Sequence, residues 1–200
     1  GIRYTLADVA GSGMTFDAFY THKHGSGDAH ADNASSGATA HANKGAWEVV
    51  VKGNVPGVDG LAVGVGYANL SIEDTATTTV KSSAIDNDEA TAYITYAYGP
   101  VKVGYQKSAV SIGKTNVLHK TDYMSISYAV TDNLSVSYNW IDGSKTATDG
   151  RQTEQDFNSL SASYSMGGMT INIADSDCSN CGFTSGRSQD ATSISLAVAF

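Results

Sequence analysis

Residues 191–200, Ala-Thr-Ser-Ile-Ser-Leu-Ala-Val-Ala-Phe, alternate without a break. Ile194, Leu196, Val198 and Phe200 share one face of an extended strand, and Ser193, Ser195, Ala197 and Ala199 share the other. A period of two marks a strand whose faces meet different surroundings. The same pattern recurs along the chain. Met14, Phe16, Ala18 and Tyr20 share a parity, as do Leu61, Val63, Val65 and Tyr67. Met124, Ile126, Tyr128 and Val130 oppose Tyr123, Ser125, Ser127 and Ala129, while Leu134, Val136, Tyr138 and Trp140 oppose Ser135, Ser137 and Asn139. Together these segments predict about eleven strands. Phe157 carries the parity of its segment's polar face, which predicts that it precedes the strand or follows a bulge.

The connections alternate as well. Short ones fall at 9–13, 56–60, 99–100, 131–133 and 167–168; long polar ones fall at about 22–44, 71–89, 107–120, 142–156 and 175–190. Brief turns at one end and long loops at the other are the plan of bacterial outer-membrane barrels. The fold class expected is therefore all-β: an antiparallel transmembrane β-barrel wall, residues 1–200 forming one unit. The first and last segments run in the same direction, so the strand number is odd. A closed single-chain bacterial barrel has an even number. An N-terminal portion with an odd number of strands is expected to be missing from these residues.

Composition narrows the classes without adding a mechanism. No apolar run approaches the ~20 residues of a spanning helix, which leaves a strand-built barrel untouched. The net charge of −8 argues against a nucleic-acid binder, which needs a basic stripe. Pro56 and Pro100 both sit in turns, as a sheet requires. No Gly-rich phosphate cradle is present, and no cofactor is expected.

In order, the segments resemble the general porins of Gram-negative outer membranes. The resemblance rests on Ile2-Arg-Tyr-Thr, followed by Ala10-Gly-Ser-Gly-Met-Thr-Phe-Asp-Ala-Phe-Tyr20, and on the terminal Phe200. It covers the chain from end to end with loose motifs. It implies a sixteen-stranded homotrimer of which this is the C-terminal two-thirds, five strands and the inward-folded third loop being absent. It also implies contact with outer-membrane lipid and lipopolysaccharide, and recognition of Phe200 by the barrel-assembly machinery.

The function expected is passive diffusion of small hydrophilic solutes and ions through a water-filled channel in the outer membrane, without enzymatic chemistry. Small polar residues on the inward rows leave a lumen open. The pore-lining charges are Arg3, Asp17, Glu48, Lys52 and Lys102, and the resemblance puts Arg3 near the pore waist. Trp47 and Trp140 are expected near the external strand ends, with Tyr98 and Phe200 near the periplasmic ends, as two aromatic girdles. Two other readings stay open: a complete small barrel with enzymatic or adhesive activity, and a soluble all-β surface binding protein.

Three further constellations carry less. His22, His24, His30 and His41, with Asp28 and Asp32, crowd one loop but lack fixed metal-ligand spacing, so no metal is expected. Cys178 and Cys181 have no second pair with which to hold zinc. An oxidising compartment favours a disulfide between them, with free thiols as the other reading because the short spacer strains the ring. His119 with Asp122 is the least poor base–carboxylate pair for hydrolysis.

Overall fold

The computed structural model describes residues 1–22, 42–73, 84–113 and 117–198. Within them lie eleven strands: β1 (Ile2–Leu6), β2 (Met14–His22), β3 (Ala42–Asn54), β4 (Leu61–Glu73), β5 (Ala84–Tyr98), β6 (Val101–Ile112), β7 (Val117–Ala129), β8 (Leu134–Thr146), β9 (Gln152–Met166), β10 (Met169–Ser179) and β11 (Gln189–Val198). Each pairs antiparallel with its sequence neighbour in a single meander ordered β1 to β11. β1 and β11 do not pair with each other, so the sheet is open among the described residues.

The short turns are built by residues that tolerate positive φ. Gly167 and Gly168, at φ 57° and 84°, form the two-residue link between β9 and β10. Two successive positive φ values match the twist of the flanking strands. Gly60, at φ 78°, closes the link from β3 to β4; a Cβ there would lie 2.1 Å from the Ala97 carbonyl oxygen, so a side chain has no room.

No second layer covers either face. Cys181, 5% exposed, is the one buried hydrophobic side chain among the described residues. Ile94, Ile126, Leu160, Ile194 and Leu196 stand 41 to 73% exposed in the isolated chain. A soluble sandwich would pack such rows against a facing sheet. Here the apolar rows form one surface, and rows rich in serine, threonine, glycine and alanine, with Phe19, Tyr93, Tyr123, Ile141 and Phe157 among them, form the other.

At the long-loop rim the strands run further than the alternation predicts. Most of 107–120 is strand, belonging to β6 and β7, and the predicted loop at 142–156 shrinks to 147–151. The cause is chemical. Beyond the apolar belt the ladder continues, but its side chains pair through polar groups. Lys107 Nζ donates to Asp122 Oδ1 at 2.9 Å, and Tyr105 Oη donates to the same carboxylate. Tyr67 Oη and Asn69 Nδ2 donate to Asp88 Oδ1 at 2.5 and 2.8 Å, and Thr192 Oγ1 donates to Asp175 Oδ1 at 2.7 Å. These residues are still strand, though no longer greasy on one face.

Phe157 corrects the sequence expectation in another way. It lies inside β9 with an unbroken register, opposite Ile141 on one side and Cys178 on the other. There is no bulge at this position. The ring lies on the small-residue face, where it lines a hollow together with Phe183.

Candidate pore wall

The five charges proposed to line the pore all lie on the small-residue face, but they are not equivalent. Arg3 on β1 and Asp17 on β2 meet across the strand pair. The guanidinium donates through Nη2 and Nε to Asp17 Oδ1 at 3.2 and 3.4 Å, and Thr5 Oγ1 donates to the same oxygen at 2.5 Å. Asp17 is 7% exposed, sunk between its two donors, while the Arg3 side chain remains 66% exposed. Arg3 is thus a partly compensated charge rather than a free one. Lys52 on β3 stands diagonally beyond this pair, since Thr15 is its register partner and Asp17 is that of Val50. Glu48 faces Phe19 and Ala68 nearer the long-loop rim. Lys102 stands apart on β6, opposite Ala97 and Ser127, close to the short-turn rim.

On the apolar face, aromatic rings gather in two places. Trp47 packs against Tyr67 with ring centroids 5.1 Å apart, and Trp140 against Tyr138 at 4.3 Å, edge to face. Both tryptophans are on the long-loop side of the apolar belt, but in mid-strand rather than near the strand ends. Trp140 lies opposite Asn158 and Met124, where polar pairing begins. Tyr98, 75% exposed, stands at the short-turn rim. Phe200 lies outside the described residues.

The loop and the disulfide between β10 and β11 were expected, but not the direction in which this segment folds. Cys178 and Cys181 are joined as a disulfide, with Cα atoms 5.7 Å apart. Just beyond it the chain lies against the small-residue face, where Gly182 N donates to Gln155 Oε1 at 2.6 Å. Phe183 then rests on the wall. Its ring lies 5.2 Å from that of His119 and touches the space above Gly143, where a Cβ would meet it at 3.4 Å. The only sequence clue was a CxxC spacing within a Gly/Ser-rich stretch, and that does not say which way a loop folds.

His119 and Asp122 do not form a pair. They differ in parity, so His119 looks toward Phe183 while Asp122 looks the other way, into the Tyr105 and Lys107 cluster. His24, His30, His41, Asp28 and Asp32 lie outside the described residues. Among the described residues, no three His, Cys, Asp or Glu side chains converge as a metal site would require.

No protein-family model matches the chain, and no curated protein matches it in sequence. Solved structures do match its shape. An anion-selective porin from Comamonas acidovorans superposes with a TM-score of 0.71 at 14% identity, over 99% of this chain and 58% of that one. The fold is that of a bacterial outer-membrane β-barrel. A loop-L8 deletion mutant of OmpT, an outer membrane protein of Vibrio cholerae, gives 0.61 at 14% identity, over 98% of this chain and 61% of that one. OmpT in a trimer form gives 0.57 at 14% identity, over 97% and 61%. The chain therefore spans 58 to 61% of the length of these neighbours. In a barrel of this kind the apolar face meets membrane lipid and the small-residue face lines the interior. No helix is long and apolar enough to cross a membrane, which says nothing of crossing by strands.

Proposed function

We propose that this chain forms part of the wall of a water-filled outer-membrane porin, through which small hydrophilic solutes and ions diffuse passively. The observation that carries the proposal is the division of the single sheet into two media. One face presents apolar rows and the other mostly Ser, Thr, Gly and Ala with a few larger side chains, and hardly any side chain of either face is buried. Bulky inward residues would fill a barrel, whereas small polar ones leave space for water. The short-turn rim is then periplasmic and the long-loop rim external.

The dimensions agree. From Tyr98 to Ala90 the apolar face of β5 carries no charge. Those eight steps cover about 27 Å along the strand, or about 20 Å along the membrane normal at a tilt of roughly 40°. That is close to the ~25 Å apolar band of outer-membrane barrels. The tryptophans close the upper edge of the belt and Tyr98 its lower edge, as rings at the headgroup level do.

No chemical step is part of this function. Selectivity follows from pore width and from the inward charges, Arg3 with Asp17 foremost. A homotrimer is the assembly this reading favours, with support from the trimeric form of one structural neighbour. Lipid and lipopolysaccharide would contact the apolar face, and the barrel-assembly machinery would recognise Phe200. The test is planar-bilayer recording on the full-length protein. Stepwise, ohmic current is expected. Silence at saturating protein would instead favour a plugged barrel with an enzymatic or adhesive role.

A further inference from the structure

We propose that the inner wall carries a rising track of aromatic side chains that binds uncharged, hydroxylated ring solutes, namely saccharides, as they pass. The proposal rests on the porin reading and adds a substrate class to it. Its basis is the register of six neighbouring strands. Tyr93 on β5 pairs with Gln106 on β6, Gln106 with Tyr123 on β7, Tyr123 with Ile141 on β8, and Ile141 with Phe157 on β9. Phe157 then pairs with Cys178 on β10, at the root of the inward-folded loop.

Register partners have Cβ atoms about 5 Å apart, so the five side chains form one ribbon rather than scattered rings. Because the strands tilt, a ribbon running across them climbs the wall by about 3 Å per strand. Tyr93 lies five residues from the periplasmic end of β5 at Tyr98, and Phe157 nine from that of β9 at Met166. At the external end Phe183 extends the ribbon over Gly143. Tyr93 lies across Gly64, where a Cβ would come within 2.3 Å of its ring, so the missing side chain lets the ring lie along the wall.

Two hollows follow this ribbon and share Tyr123. One, of about 290 Å³, adds Thr95 and Ser125 to the rings; the other, of about 420 Å³, adds Thr121 and Gln155. Tyr123 remains 38% exposed, and nothing described covers it. Apolar faces edged by hydroxyls and amides, with no charge among the five ribbon residues, match one solute chemistry. A pyranose offers C–H faces to the rings and hydroxyls to the edges, as amphipathic pockets generally require. Tyr93 and Tyr123, like Tyr123 and Phe157, are two strands apart, about 9.5 Å. That interval suits an oligosaccharide lying along the row better than a single small ring.

The test is maltohexaose added to single channels of the full-length protein in a planar bilayer. Reversible, concentration-dependent interruptions of the current are expected. Tyr123→Ala and Phe157→Ala should each weaken the block about tenfold, the effect of removing one stacking ring. Tyr123→Phe, which keeps the ring, and Ile126→Ala, on the lipid face, should leave the block within about twofold of wild type. Steady current unaffected by tens of millimolar sugar overturns the track while leaving the porin reading intact. Block by benzoate but not by the sugar also overturns it. If no current appears at all, the porin reading falls. Calorimetric titration of maltohexaose into detergent-solubilised protein then decides the track: binding lost in Tyr123→Ala sustains it, and no binding ends it.

Discussion

Arginine at position 126 and arginine at position 125 should have opposite consequences, although the residues are adjacent. Ile126 stands on the apolar face, midway between Val130 at the periplasmic rim and Asp122 at the upper edge of the belt. Its register partners are Val103 and Tyr138, so the new guanidinium would have no polar neighbour within its row. A lipid-facing arginine near the bilayer midplane costs about 2–4 kcal/mol in such barrels. That corresponds to roughly a 30- to 700-fold fall in the folding equilibrium. Ser125 points into the lumen opposite Gly104 and Asn139, where a long side chain has room to bend into water. Ser125→Arg should therefore change stability by no more than about 0.5 kcal/mol. The assay is urea-induced unfolding from phosphatidylcholine vesicles, followed by tryptophan fluorescence and by the heat-sensitive gel mobility of folded barrels. Equal losses in the two variants, or a larger loss at 125, would refute the assignment of faces.

Other outcomes follow from the wall. A unit charge about 5 Å from the ion path changes local ion concentration about fourfold in water-like surroundings. Arg3→Ala should therefore shift the permeability ratio toward cations and Asp17→Asn toward anions, each by up to about that factor, while reversal-potential measurements on the double variant should return near wild type. Unfastening the disulfide by Cys178→Ser with Cys181→Ser frees Phe183 from the wall at Gly143, and single-channel conductance should change; an unaltered value would put this loop outside the ion path. Gly60→Ala should destabilise the barrel more than Gly57→Ala in the same urea titration. Both glycines have φ near 78°, costing about 1–2 kcal/mol for any side chain, but only the Cβ at 60 also collides with backbone.

Alternation made the strands and their faces legible because oil and water sort side chains by parity. Tyr123 and Met124 were assigned to opposite surfaces by that rule alone, and the wall keeps them there. The external strand ends were not legible for the same reason. Above the belt both faces of β6 and β7 meet water, so Lys107 and Asp122 look like loop residues although they hold a ladder together. Charge candidates could be named from parity but not ranked. Whether Arg3 is free depends on Asp17, fourteen residues away, arriving opposite Thr5. Phe157 looked anomalous for a further reason: its partners, Ile141 and Cys178, come from other segments, and no local period records them. The aromatic ribbon was hidden likewise, since its members are spread over 93 to 157 and become neighbours only through register.

The division of media along a single strand is the claim on which the pore depends. The chain's two cysteines are bonded to each other, so one introduced cysteine gives one reactive site. Spin labels placed singly at positions 134 to 140 of β8, in lipid vesicles, can be probed with oxygen and with a water-soluble nickel chelate. Positions 134, 136, 138 and 140 should favour oxygen, as lipid-exposed sites do, and 135, 137 and 139 the chelate. Seven sites with one uniform preference, or the two sets reversed, would contradict it.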